Sequence, residues 1–152
     1  MKRLLLLLLL LPLLAGCGPK TVTVTGTVTF EGEPMKDINV FFQPVPGGAT
    51  VPPAAAGLTN VNGVYSLRLL GEQKKSGAIP GEYTVFISWM DPDQDPIPER
   101  EGYVPNPNPY QNMIPDKARL GYLSFTVPES GPVTADWNFT EEDMKEKMQI
   151  GF

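Results

Sequence analysis

From residue 21 onward, apolar and polar side chains alternate in short runs. Residues 21–30 place Val22, Val24, Gly26, Val28 and Phe30 on one face and five threonines on the other. A period of two with β-branched residues throughout predicts a half-buried antiparallel strand. Residues 38–43 repeat the pattern with Ile38, Val40 and Phe42, and residues 54–59 offer a third run. Asn62-Gly63 precedes the run 64–69. Both residues tolerate positive φ, so the pair predicts a hairpin between apolar runs. Residues 82–89 put Tyr83, Val85, Ile87 and Trp89 on one face, and runs at 123–127 and 134–139 complete a set of seven. Glu31-Gly32-Glu33-Pro34, residues 47–53, Ile79-Pro80-Gly81 and residues 128–132 are rich in Gly and Pro and predict the turns and loops. Seven short strands separated by such signals predict an all-β sandwich.

Two stretches break the alternation. Residues 90–115 contain seven prolines among 26 residues. Each proline lacks an amide donor and fixes φ, so this stretch predicts an insertion outside the sheets. Loops of this length are usually functional or disordered. At the other break, Thr140 is a candidate N-cap followed by Glu141, Glu142 and Asp143, with Lys145 and Lys147 later. Acid early and base late complement a helix dipole. Met144 and Met148 stand four apart and would form its buried stripe. So short a segment reads as a short C-terminal helix or as a frayed tail.

Composition narrows the chemistry. The 152 residues include 17 Pro, 15 Gly, one Cys and no His. Without histidine there is no Ser-His-Asp or Cys-His nucleophile system, no His metal site and no imidazole proton shuttle. One cysteine excludes an internal disulfide, a zinc cluster and a CxxC pair.

The first residues differ from the body. Met1-Lys2-Arg3 is a basic start, and residues 4–14 are eleven positions of which ten are Leu. That is short of the ~20 apolar residues a bilayer span needs. A charged start, a short apolar run and small residues after it predict a secretory signal. Leu14-Ala15-Gly16-Cys17 resembles a bacterial lipobox, which implies cleavage between Gly16 and Cys17 and lipid attachment to Cys17. The thiol would take up diacylglycerol as a thioether, and the new amino group would be acylated. Two or three chains hold stably where one holds weakly, at ~0.8 kcal/mol per buried methylene. Cleavage removes 16 residues and leaves 136, with 10 basic against 17 acidic side chains and a net charge of −7. An acidic body argues against a nucleic-acid partner, because affinity there rests on phosphate neutralisation. Gly18 follows the cysteine where Asp would mark inner-membrane retention, so the resemblance implies the outer membrane, facing the periplasm or the cell surface.

The body also resembles a family. Gly26, Val28, Gly32 and Pro34, then Val40-Phe41-Phe42-Gln43-Pro44, are similar to the opening of carboxypeptidase regulatory-like domains. Residues 56–67, with Gly57, Thr59, Gly63, Tyr65 and Leu67, and residues 77–85, with Pro80-Gly81-Glu82-Tyr83, resemble two further segments of that family. Asn60 stands where the family more often has Asp. The resemblance implies a seven-stranded transthyretin-like, immunoglobulin-like β-sandwich. The predicted organisation is a signal peptide at 1–16, a lipidated tether at 17–20, the sandwich at 21–140 with its insertion at 90–115, and a tail at 141–152.

Candidate sites are few. Asp91, Asp93 and Asp95 form an alternating acidic cluster that could offer oxygen ligands to calcium, or could simply be a solvated loop. An EF-hand loop starting at Asp91 would need Gly at its sixth position and Glu at its twelfth, where Pro96 and Gly102 stand. Tyr103 and Tyr110 among the prolines could serve recognition or lie on a spacer crossing the sandwich. Trp89 and Trp137 are in phase with core positions, which favours packing over a carbohydrate platform. One transthyretin-related branch hydrolyses hydroxyisourate with histidines and a characteristic C-terminal tetrapeptide. This chain has no histidine and ends Gln149-Ile150-Gly151-Phe152. The expectation is a non-enzymatic, cofactor-free module held to a membrane through Cys17, with an envelope protein or glycan as its open partner. The alternative is a carbohydrate- or calcium-dependent module using the 91–110 loop.

Overall fold

A computed structural model of the chain describes residues 20–47, 51–71, 74–92 and 106–145. In chain order the elements are β1 (Val24–Phe30), β2 (Glu33–Pro34), β3 (Ile38–Pro44), β4 (Ala55–Leu58), β5 (Val64–Ser66), β6 (Arg68–Leu69), β7 (Gly81–Trp89), α1 (Asp116–Arg119), β8 (Leu123–Val127), β9 (Val133–Thr134), β10 (Trp137–Phe139) and α2 (Glu141–Lys145). The described strands form two five-stranded sheets. The fold is all-β, as the alternation predicts.

One sheet is a regular antiparallel ladder in the order β6-β4-β3-β7-β8. Its spine is the pairing of β3 with β7, which runs from Ile38 opposite Trp89 to Pro44 opposite Tyr83. Ile38, Val40 and Phe42 from β3 and Tyr83, Val85 and Ile87 from β7 are buried on its inner face. β-Branched and aromatic side chains at every second position fit a pleated, half-buried surface.

The other sheet is built on β1 alone. The first half of β1 lies between β5, antiparallel, and β9, parallel. The second half lies between β2, antiparallel, and β10, parallel. Val24, Val28, Tyr65 and Phe139 from this sheet, with Ala135 from the link between β9 and β10, meet the inner face of the ladder in one hydrophobic core. Ring contacts carry that core across the gap. Phe42 lies 5.7 Å from Tyr83 and 5.6 Å from Phe125, and Phe125 lies 6.4 Å from Trp137.

All seven predicted runs contain strand, but two of them break. Residues 64–69 form β5, which pairs with β1, and β6, which pairs with β4. The chain changes sheet at Leu67, whose N–H donates to the Val24 carbonyl. The turn before it is therefore not a hairpin within one sheet. Asn60 Oδ1 accepts the N–H groups of Asn62 and Val64, and Gly63 alone of the pair takes positive φ, at +71°. A Cβ on Gly63 would also lie 2.6 Å from the Val28 carbonyl oxygen. The second break divides 134–139 around Ala135 and Asp136. There the Asp136 carboxylate accepts the N–H of Thr27 at 2.8 Å, taking the place of a ladder carbonyl. The Glu31-Gly32-Glu33-Pro34 turn also adds a tenth strand, the two-residue β2.

The C-terminal segment starts as a helix rather than a frayed tail. The N–H of Thr140 donates to Asp143 Oδ2 at 2.9 Å, and the N–H of Asp143 donates back to Thr140 Oγ1 at 3.4 Å. This reciprocal pair is a capping box with Asp in the role of Glu. Met144 is half-buried, and Met148 lies outside the described residues. No helix among the described residues is long and apolar enough to cross a membrane.

Candidate functional site

The sequence-predicted anchor, Leu14, Ala15, Gly16 and Cys17, lies outside the described residues, as do Asp93, Asp95 and Tyr103. The described fold begins five residues after Cys17. Val22 bridges Ala78, with its N–H 2.8 Å from the Ala78 carbonyl and the reverse bond at 2.9 Å.

Asp91 stands at the end of the long strand β7, where the insertion leaves the ladder. Its two carboxylate oxygens accept from Asn106, one from the side-chain amide at 3.0 Å and one from the backbone N–H at 3.3 Å. The bonds join residues 15 positions apart and so fasten the two sides of the insertion to each other. Asn106 was not singled out in the sequence. The repeated Asn-Pro pair Asn106-Pro107-Asn108-Pro109 was its available signal, because Asn before Pro favours side-chain-to-backbone turns. Asn108 does this, with its Oδ1 accepting the Tyr110 N–H at 2.8 Å. Among the described residues, no group of three or more His, Cys, Asp or Glu side chains is placed to hold a metal ion.

The return of the insertion packs onto the fold. The Tyr110 hydroxyl accepts the Lys36 N–H at 3.1 Å, and Ile114 and Ala118 of the following segment are buried in the core. Tyr110 thus serves as an internal tie. α1 follows, and Lys117 within it pairs with Asp143 of α2 at 2.7 Å. That ammonium holds the Asp143 carboxyl below the usual carboxylate range, with the Thr140 bonds helping and partial burial opposing.

An open cleft of about 550 Å³ lies where the insertion's return, the end of β1 and α2 meet. Phe30, Met113 and Met144 supply its apolar wall, while Glu141 and Lys145 stand at its margin. The Glu141 N–H is already engaged by Glu31 Oε1 at 2.7 Å. Such a cleft can seat a small amphipathic group against two methionines and a ring, with one charge of each sign nearby.

Both tryptophans pack against the core, as their phase predicts. Trp137 has a second task. Its Nε1–H donates to the Tyr65 hydroxyl at 3.1 Å, and that hydroxyl donates to the Ala135 carbonyl at 2.5 Å. Burial pushes the Tyr65 phenol well above its ordinary ionisation range, the Trp137 bond lowers it and the nearby Asp136 charge adds to the rise. Tyr65 is therefore a neutral latch between β5 and the β9–β10 break. Gly26 lies beside it because a Cβ there would lie 1.9 Å from the Ala135 carbonyl oxygen and 2.9 Å from the Tyr65 ring.

Compared with known proteins, the chain matches no family, no curated protein and no solved structure.

Proposed function

We propose that the protein is a bacterial envelope lipoprotein, anchored through Cys17, whose body is a non-catalytic structural or binding module with a transthyretin-like, carboxypeptidase regulatory-like sandwich. One observation carries the reading. Leu14-Ala15-Gly16-Cys17 ends a basic and Leu-rich leader, and the first bridged residue of the body, Val22, follows the cysteine by five positions. A leader that is removed, an acyl-accepting thiol and a short tether to a folded body suit a protein held at a membrane by lipid rather than by a span. The outer membrane is the proposed address, because Gly18 follows the cysteine.

Three features support the sandwich assignment. Two sheets enclose one core, Gly63 takes the positive φ its turn needs, and Gly26 admits the close approach of Tyr65. These are architectural residues, so they argue for a scaffold more than for a reaction. The polar network Tyr65–Ala135–Trp137 packs against the core and holds backbone.

The test is the chemical form of the N-terminus. Tryptic digestion of the protein purified from membranes should yield the peptide Cys17-Gly18-Pro19-Lys20 bearing a diacylglyceryl thioether. An uncleaved leader, or an unmodified Cys17 thiol, would contradict the proposal.

A further inference from the structure

The two ends of the body differ in charge, and the tether leaves from one of them. Hydrogen bonds lay five segments side by side at that end. Val22 bonds Ala78, Gly77 bonds Leu67, Leu69 bonds Lys75, Leu70 bonds Ala54, and Val45 bonds Glu82. β7 starts there and β3 finishes there. Val45, Val51 and Leu70 are 44%, 55% and 45% exposed at this end, and the far end likewise exposes Leu58, Val61 and Met90, so charge is what sets the two ends apart. Around them stand four exposed cations, Lys20, Arg68, Lys74 and Lys75, against the carboxylates of Glu82 and Glu129. Glu72 lies outside the described residues. The opposite end, where β1 and β7 finish, is net acidic, with Glu31, Glu33, Asp37, Asp91, Glu141, Glu142 and Asp143 against Lys36, Lys117 and Lys145.

We propose that the end carrying Val45, Val51, Leu70 and the four cations docks on an anionic phospholipid surface, that of the membrane holding Cys17. The inference deepens the lipoprotein reading and rests on it for the position of the anchor. Chain length makes the approach obligatory. Three peptide steps separate Cys17 from Lys20, and each spans at most ~3.6 Å, so Lys20 stays within about 11 Å of the lipidated residue. That is close to the Debye length of about 8–10 Å, so Lys20 feels the surface potential and the cations of the neighbouring segments are brought towards it. β7 is nine residues long, and at ~3.3 Å per residue it puts the acidic end about 30 Å away, beyond screening. The net negative body is thereby attracted at one pole and left unaffected at the other. Val45, Val51 and Leu70 are placed to enter the headgroup boundary as shallow apolar tips. The far pole, with the insertion and the cleft beside Met113 and Met144, is turned outward.

Vesicle sedimentation tests this without the covalent lipid. The chain from residue 17 onward with Cys17→Ser keeps every described strand and every described core residue, and a cooperative melt monitored by circular dichroism checks that it is folded. It is expected to sediment with phosphatidylglycerol vesicles at low salt and at least about tenfold less with phosphatidylcholine vesicles. Each cation near such a surface contributes about fivefold, so Lys74→Glu with Lys75→Glu should weaken binding by roughly 25-fold or more. Val51→Ser with Leu70→Ser should weaken it severalfold while leaving the salt dependence in place. Equal binding to the two lipids, no binding to either, or an unchanged affinity of the folded Lys74→Glu/Lys75→Glu variant would overturn the proposal. The anchor is read separately by lipid labelling of the full chain, so a failure of docking and a failure of anchoring give different results.

Discussion

The two sheets solve the same problem by different means. In the β3–β7 ladder, seven consecutive residue pairs satisfy the backbone, and alternating apolar side chains do the rest. In the other sheet every partner of β1 is short, and side chains complete what the ladder omits. Asp136 receives the Thr27 N–H, Asn138 Oδ1 receives the Gly32 N–H and the Thr29 hydroxyl, and Tyr65 ties the Ala135 carbonyl. The first sheet is held by pattern and the second by particular atoms. A pattern tolerates exchange of one apolar group for another of similar volume. An atom-specific sheet fails when a single group is added or removed.

That contrast sets the order of the expected effects. Gly26→Val should be the most damaging single change, because its Cβ falls 1.9 Å from the Ala135 carbonyl oxygen, which is backbone and has nowhere to move. Its destabilisation should exceed about 5 kcal/mol, among the exceptional class for point changes. The measurement is the yield and chemical denaturation of the purified variant. Wild-type stability would show that the sheet on β1 is loosely held and would erase the contrast. In the ladder, Phe42→Ala removes a fully buried ring touching Tyr83 and Phe125 and should cost about 3–5 kcal/mol by urea unfolding. Phe42→Leu should recover most of it, since the ladder responds to volume.

Tyr65→Phe deletes one oxygen and leaves the Ala135 carbonyl and the Trp137 Nε1–H without their partner, at about 1–3 kcal/mol. It should also change the alkaline limb. A phenol whose folded pKa is raised contributes stability that is whole below its unfolded value near 10, and that stability declines as pH rises above it. The melting temperature of Tyr65→Phe should therefore fall less steeply above pH ~10. Some slope should remain, because burial raises the Tyr83 phenol too, against the bond from its hydroxyl to the Ile79 carbonyl. The smallest effect is at α2. Asp143→Asn breaks the pair with Lys117 and should cost about 0.5 kcal/mol. A carboxyl held below its ordinary range stabilises above that range and loses the effect as pH falls through its folded value. The variant's melting temperature should thus be less sensitive to acid than the wild type's.

The same contrast explains what could be read from the sequence. Alternation records which side chains face the core, and the ladder's buried positions followed from it. Alternation does not record which sheet a strand joins. Tyr65, Leu67 and Leu69 are all buried and keep a perfect period of two, although the chain changes sheet between them. Ala135 and Phe139 are likewise in phase across the Asp136 break. The insertion was legible as non-strand from its prolines. The burial of Ile114 and Ala118, the tie from Tyr110 to Lys36 and the clasp of Asp91 by Asn106 were not, because irregular segments have no period to read. The charge difference between the ends appears only when turns far apart in sequence are brought together.

On the proposed function, Cys17 holds this body to a membrane and nothing else in the chain is needed for stable anchoring. Fractionation of cells expressing Cys17→Ser, with metabolic palmitate labelling, tests it most directly. Labelling should vanish and the protein should leave the stably bound membrane fraction under high-salt washing, which also strips electrostatic docking. Unchanged labelling and salt-resistant membrane retention of the variant would contradict it.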